Sequence, residues 1–555
     1  MKRLLTIAAL FACIINLQAQ WNNDPQVNTQ LTSSSGADII PKTDVTNTGA
    51  SYVSYLSNAS GNYDVFLQKL DSKGYFEWAE PFLVSDHQQQ SWVSDYAMKT
   101  DGAGNAIITF SDIRNGNPDI FLYKVSPEGS HQWGENGITC YTSSMPEYEP
   151  RLAVTSENAA IVTFIHPTTA GSDELVIYGA NESGEPMFGE QGMTYIPEGD
   201  TFFADPYVVP AQDGNFIVVY SKNTGSSMYP NRHLRAMKFN NSGNELWSEV
   251  VVSNAGGISQ STDLNVIPDG NGGVVISWND DRDNDMQSSA FTQWVNSEGI
   301  AQYPQNGLEL ITTAATNCYD PRAVVNPDGR VMVFWTQKNS NKSLAGLYGQ
   351  LVSSEGERLW TDNGAEFYGL DSKFDFLWVA KSFEEPGAVV FYTLFDGASD
   401  QSLLAAAINP QGGFFWEEED VLVSSANSGI TNPVATPLSN GQYIASWTDN
   451  RNDNNDIYAQ NLTTDGTLGL TNTSTRAHES IIFNVYPNPT SSVINIDHKN
   501  ALRVTIRDLT GQLVADFKRP QPRNLAFRPK QSGLYFVTLY GNKEAITKKV
   551  TVLRK

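Results

Sequence analysis

Apolar and polar positions alternate along most of this chain in short runs set off by Gly, Asn, Asp and Ser. The stretch 432–466, NPVATPLSNGQYIASWTDNRNDNNDIYAQNLTTDG, shows the pattern most fully. Pro433–Thr436 predicts a short strand, Leu438–Gln442 a polar turn and Tyr443–Trp447 a second strand of aromatic and β-branched residues. Asp456–Leu462 predicts a third strand, and the turn at Thr463–Gly466 is placed to launch a fourth. Four antiparallel strands of this kind make one blade of a β-propeller.

The unit recurs. A glycine four residues before an aromatic appears at Gly74/Trp78, Gly129/Trp133, Gly184/Phe188, Gly243/Trp247, Gly299/Tyr303, Gly356/Trp360 and Gly412/Trp416, and Gly466 follows in step. Each glycine relaxes the turn between the third and fourth strands, and each aromatic places a large apolar side chain between neighbouring blades. The eighth copy lacks its aromatic and its fourth strand, whereas Trp21–Asn28 resembles the fourth-strand entry at Trp360. The expected fold is therefore an all-β, eight-bladed propeller over 20–470, closed by pairing Trp21–Asn28 with the last copy; seven blades require one copy to be something else.

Two constellations fall on the face expected to carry the longer, more varied loops. One is a position at the start of each inner strand, Asp38, Asp95, Glu149, Asp205, Asp263, Asp320, Asp375 and Asn432. Rotated about the axis, seven carboxylates would ring the channel mouth and attract a cation such as Ca2+ or a polyhydroxylated ligand. Alternatively, each caps its own turn. The other is aromatic-x-Asp-x-Arg at the end of the second strand, Phe110/Asp112/Arg114, Trp278/Asp280/Arg282 and Trp447/Asp449/Arg451. These residues either staple their loops or bind sugar. With Asp281, Asp283, Asp285, Asp453, Asn455 and Asp456 nearby they are also candidates for calcium, although the spacing is not that of a calcium hand.

Charge changes the picture at the C-terminus. The chain carries −25 overall, but 481–555 carries +9 and the first twenty residues +2, leaving about −36 in between; this argues against a nucleic-acid partner. Lys2 and Arg3 precede an apolar run from Leu4 to Leu17 that ends in Gln18-Ala19-Gln20, the pattern of a secretory signal peptide over 1–19. Cys140 and Cys318, in different copies, are expected to be buried without bridging. The histidines are scattered without metal-ligand spacing, and neither a Gly-x-Ser-x-Gly elbow nor a phosphate loop is present, so no catalytic set stands out.

A linker over 471–480 leads to Tyr486-Pro487-Asn488-Pro489, followed by Val493–Ile496, Asp508-Leu509-Thr510-Gly511, Gly533-Leu534-Tyr535 and Lys548-Lys549-Val550-Thr551-Val552. Together, over 481–555, these motifs resemble the C-terminal sorting domain of the type IX secretion system. The resemblance implies a small immunoglobulin-like β-sandwich, engagement of the type IX machinery, passage across the outer membrane and removal of the domain. The alternation in Leu502–Ile506 and Tyr535–Leu539 independently predicts a sandwich. The expected product is a secreted or surface-exposed propeller that binds carbohydrate or another macromolecule. A glycan-active hydrolase or lyase using channel carboxylates and a passive scaffold are the alternatives.

Overall fold

The computed structural model describes residues 21–89, 95–226, 228–312, 316–395, 400–438, 440–452, 454–469, 483–498, 503–518, 524–540 and 545–554. The expected signal peptide, the linker and Asp453 lie outside them. The chain divides into two compact units, Met1–Leu470 and Thr471–Lys555.

Within the first unit the described residues form eight four-stranded antiparallel sheets. Seven are continuous in sequence, spanning 38–85, 97–141, 148–195, 201–253, 265–309, 316–371 and 374–424. The eighth joins Ile430–Leu438, Gln442–Asp449 and Asp456–Thr463 to an outer strand from the other end of the chain, Thr29–Gln30. Thr29 and Gln30 pair with Ala459 and Tyr458, and the Leu31 N–H continues the ladder to the Ile457 carbonyl. The chain therefore closes on itself as the missing aromatic implies, but the pairing residues follow Trp21–Asn28 instead of lying within it.

Burial explains why the sheets stack. Second and third strands such as Ala106–Asp112 and Asp119–Val125 are buried along their whole length, because both faces of each sheet meet a neighbour. Apolar clusters fill the interfaces one after another. Val389, Ala405, Tyr443 and Trp447 lie between the seventh and eighth sheets, and Trp21, Val53, Tyr55, Ile444 and Ile457 lie between the eighth and first. The inner strands touch in the same order, with Asp38–Val45 packed against Ile430–Leu438, so the arrangement is propeller-like. Cys140 and Cys318 are buried and free.

One contact recurs at the turns. The indole of Trp21 lies on Gly74, so that a Cβ there would stand 2.6 Å from the ring, and the same separation holds for Trp133 on Gly184. Phe188, Trp247, Tyr303 and Trp416 crowd Gly243, Gly299, Gly356 and Gly466 at 2.9 Å, while Trp78 and Trp360 lie over Gly129 and Gly412 at an ordinary 3.4–3.5 Å. Each of these glycines has a positive φ, so a side chain there would be strained, and at six of the eight it would be crowded as well. The six tryptophans also donate Nε1–H to the carbonyl two residues before the glycine, at 2.9–3.3 Å. Trp21, 3% exposed, supplies the eighth contact across the junction of the chain's two ends.

The second unit contains a three-stranded sheet, Phe483–Tyr486, Ile494–His498 and Asn524–Phe527, and a four-stranded one of Leu513–Lys518, Arg503–Asp508, Gly533–Tyr540 and Ala545–Val552. Ile494, Ile496, Val504, Ile506, Val537, Leu539 and Val550 form a common core. Tyr486, Pro487, Asn488 and Pro489 lead from the first strand into a turn with two cis peptide bonds, where Asn488 Nδ2 donates to the Lys549 carbonyl and its Oδ1 accepts from the Thr551 N–H. Gly533 and Tyr535 open the strand that pairs with the one containing Lys548 and Lys549. Among the described residues no helix is long and apolar enough to cross a membrane.

Trp21→Ala removes a buried aromatic from the closing interface and is expected to cost about 3–5 kcal/mol. A urea midpoint equal to that of the wild type would contradict the role assigned to Trp21.

Candidate functional site: the central cavity

The register of the inner strands corrects the expected ring of seven carboxylates. Five sheets pair around a break at Ile39/Lys42, Tyr148/Arg151, Ala204/Tyr207, Tyr319/Arg322 or Thr431/Val434, where an extra residue bulges out. Ile40, Asp205, Asp320 and Asn432 at this point take φ of 47–54°, and Pro41, Pro206, Pro321 and Pro433 follow them. By pairing with the second strand, Asp95 and Asp263 precede Ala97 and Asn265 at the same offset, and Glu149 occupies it by backbone. In the first and seventh sheets the equivalent residues are Ile40 and Leu377. Asp38 and Asp375 stand two residues earlier. Five carboxylates, not seven, share the position. The spacing in sequence misled because an acid two residues upstream keeps nearly the same period.

The displaced acids have other partners. Asp38 accepts a bond from Ser34 Oγ at 2.9 Å, as Glu147, two residues before Glu149, does from Ser143 Oγ at 2.8 Å. Asp375 accepts from Thr393 Oγ1 at 2.7 Å and Gln401 Nε2 at 2.6 Å. Asp205 pairs with the buried Arg232 at 2.6 Å. Asp320 lies at a polar rim recess of about 500 Å³, with Asn279, Gln287, Asn317 and Tyr319; burial raises its carboxyl pKa, with Arg322 partly opposing.

Asp95 and Asp263 face a central cavity of about 410 Å³ to which all eight inner strands or their entries contribute. Lys42 reaches Asp95 at 2.7 Å from the first sheet, and Arg151 reaches it at 3.1 Å from the third. The Arg151 guanidinium lies 5.2 Å from the Tyr207 ring, whose hydroxyl donates to Asp263 at 2.6 Å; Arg322 approaches Asp263 at 3.4 Å. Burial disfavours the charge of Asp95, but Lys42 and Arg151 outweigh it and hold the carboxyl below its usual range. Burial, reinforced by Asp263, keeps the Tyr207 phenol protonated.

Lys99 and Lys381 lie one inner-strand step further along, two residues beyond the Ala97 and Val379 positions. Burial, with help from neighbouring Lys99 and Arg322 and against Asp44, pushes the Lys381 ammonium down to about 8. Asp44 is itself held by the Thr100 N–H at 2.7 Å. The cavity is thus lined by five cationic side chains, Lys42, Lys99, Arg151, Arg322 and Lys381, and by two carboxylates. These cations were not singled out from the sequence. Their signal is the alternation itself: two and four residues past the bulge, side chains return to the channel.

The aromatic-x-Asp-x-Arg residues form closed clamps. Asp112, Asp280 and Asp449 have wholly buried side chains and pair with Arg114, Arg282 and Arg451 at 2.5–2.6 Å. The guanidinium carbons lie 3.4–3.9 Å from the ring centres of Phe121, Phe291 and Tyr458. Arg114 and Arg282 also bind the Asn136 and Asn306 carbonyls near the outer strands, and Arg451 binds the Val27 carbonyl and Asn28 side chain. Among the described residues no group of three or more His, Cys, Asp or Glu side chains could hold a metal ion, and the channel carboxylates face Lys and Arg, a donor set that does not fit calcium.

Residues 484–553 match the secretion system C-terminal sorting domain family. The chain carries a type IX sorting domain. This domain indicates export and a surface or secreted location. No curated protein matches. Solved structures similar to the chain include a family 25 polysaccharide lyase, an ulvan lyase bound to -[GlcA(1-4)Rha3S]-, at 12% identity with a TM-score of 0.45, covering 81% of this chain and 97% of that one. A Penicillium chrysogenum α-L-arabinanase complexed with arabinobiose aligns at 14% identity with a TM-score of 0.32, covering 57% and 94%. A Dyadobacter fermentans protein of unknown function aligns at 12% with a TM-score of 0.33, covering 59% and 98%.

The depressed pKa of Lys381 has a signed consequence. Between about 8 and the unfolded value of 10.5, the unfolded chain binds a proton that the folded chain does not, so this group adds stability as pH rises through that window. Lys381→Met should remove this increment. The amount by which the wild-type urea midpoint exceeds that of the variant should be larger at the upper end of the window than at the lower, and an equal excess at both ends would contradict the environment described.

Proposed function

We propose that the chain is exported behind a signal peptide over 1–19, and that residues 20–470 form an eight-bladed β-propeller whose central cavity binds carbohydrate or another macromolecule at the cell surface or in the medium. Residues 481–555 form an immunoglobulin-like sandwich that engages the type IX machinery. Binding is favoured over a hydrolase or lyase built on the channel carboxylates by one observation: Asp95 sits between Lys42 and Arg151. A carboxylate held ionised in this way is a poor proton donor near neutral pH. Its cationic neighbours are fixed in place in a cavity whose walls include Tyr207 and Trp378, a setting suited to holding a ligand.

Deleting 485–555 should leave a folded first unit retained in the periplasm; normal export of the truncated chain would overturn the sorting role. On a glycan array the signal-free protein should select a limited set of saccharides, and Arg151→Ala should lose them. An array with no hits, or hits indifferent to Arg151→Ala, would overturn the cavity as the binding site.

A further inference from the structure

Charge in the central cavity runs opposite to charge in the rest of the unit. The residues between signal and sorting domain carry about −36, yet the cavity walls hold three more positive than negative side chains. The two wall carboxylates neutralise part of this at the upper level, where Lys42 and Arg151 share Asp95 and Arg322 approaches Asp263. At the next level Lys99 and Lys381 make no ion pair among the described residues, and Lys99 lies close enough to depress the ammonium of Lys381. Asp44 of the first sheet stands at this same level, but it is bonded by both the N–H and hydroxyl of Thr100. Cations gathered against like charge raise the free energy of the empty cavity, and a low-dielectric wall focuses their field on whatever enters.

We infer that the cavity takes the carboxylate or sulfate groups of an anionic saccharide, with Lys99 and Lys381 receiving the negative charge and Tyr207 and Trp378 facing the sugar rings. The inference rests on the cavity being a carbohydrate site and adds the class of ligand. Its volume lies in the range of ligand pockets, about 300–1,000 Å³, and exceeds what a lone inorganic anion needs. The net acidity of the rest of the unit has a complementary effect, since it disfavours polyanions there and so favours the axis.

Calorimetric titration of the signal-free full chain at about 0.15 M salt tests this with an oligogalacturonate, a sulfated dextran fragment and a neutral dextran fragment of equal length. At least one anionic oligosaccharide should bind about tenfold or more tighter than the neutral one, a gap of about 1.4 kcal/mol. Lys99→Gln with Lys381→Gln should erase that gap, whereas Lys99→Arg with Lys381→Arg, which controls for folding, should keep it. If only the sulfated fragment binds, the inference stands with the ligand narrowed to sulfate esters. If the neutral fragment binds as well as the anionic ones, or the glutamine pair changes nothing, the charge inference fails while carbohydrate binding survives. If no saccharide binds, both fail.

Discussion

Each sheet of the first unit leans on the next through an aromatic ring laid over a turn glycine, and the rest of the molecule depends on that contact. The glycine is required by its left-handed backbone in every sheet, and in six of the eight also by a ring lying too close for a Cβ. The indole N–H fixes the direction of approach by bonding the carbonyl two residues earlier. Repetition of one contact at one place in each sheet imposes the same rotation each time. The eighth repetition is supplied by Trp21 from the opposite end of the chain, so closure of the first unit and the integrity of its last sheet are the same event.

Rotation determines what meets at the axis. Inner-strand residues that are far apart in sequence, such as Lys42, Asp95 and Arg151, become neighbours because successive sheets bring the same end of their inner strands to the axis. Ion pairs then run between sheets. The clamps of Asp112, Asp280 and Asp449 act instead within sheets, holding the outermost strand against its partner. In this division of labour the periphery is stapled by buried pairs while the centre keeps cations beyond what its acids neutralise.

Much of this was legible in the sequence. The periodic glycine and aromatic residues gave the number of sheets in the first unit, and the copy lacking an aromatic pointed to the N-terminus as its source. The terminal motifs identified the sorting domain. What failed was the register at the axis. Asp38 and Asp375 lie two residues from the position they were aligned to, an offset that nearly preserves spacing, so only the pairing with the second strand exposes it. The cationic lining was missed for a different reason: Lys99 and Lys381 share one position but recur in only two of the eight copies, and a search for features common to the copies passes over them. The Asp-x-Arg motifs were visible, but their burial was not readable without the loops that cover them.

A crystal structure of the protein with a bound anionic oligosaccharide tests the central claim most directly. Ligand density is expected inside the ring of inner strands, with carboxylate or sulfate oxygens within hydrogen-bond distance of Lys99 or Lys381. Density confined to the outer rim, with the axial cavity holding only solvent, would contradict it.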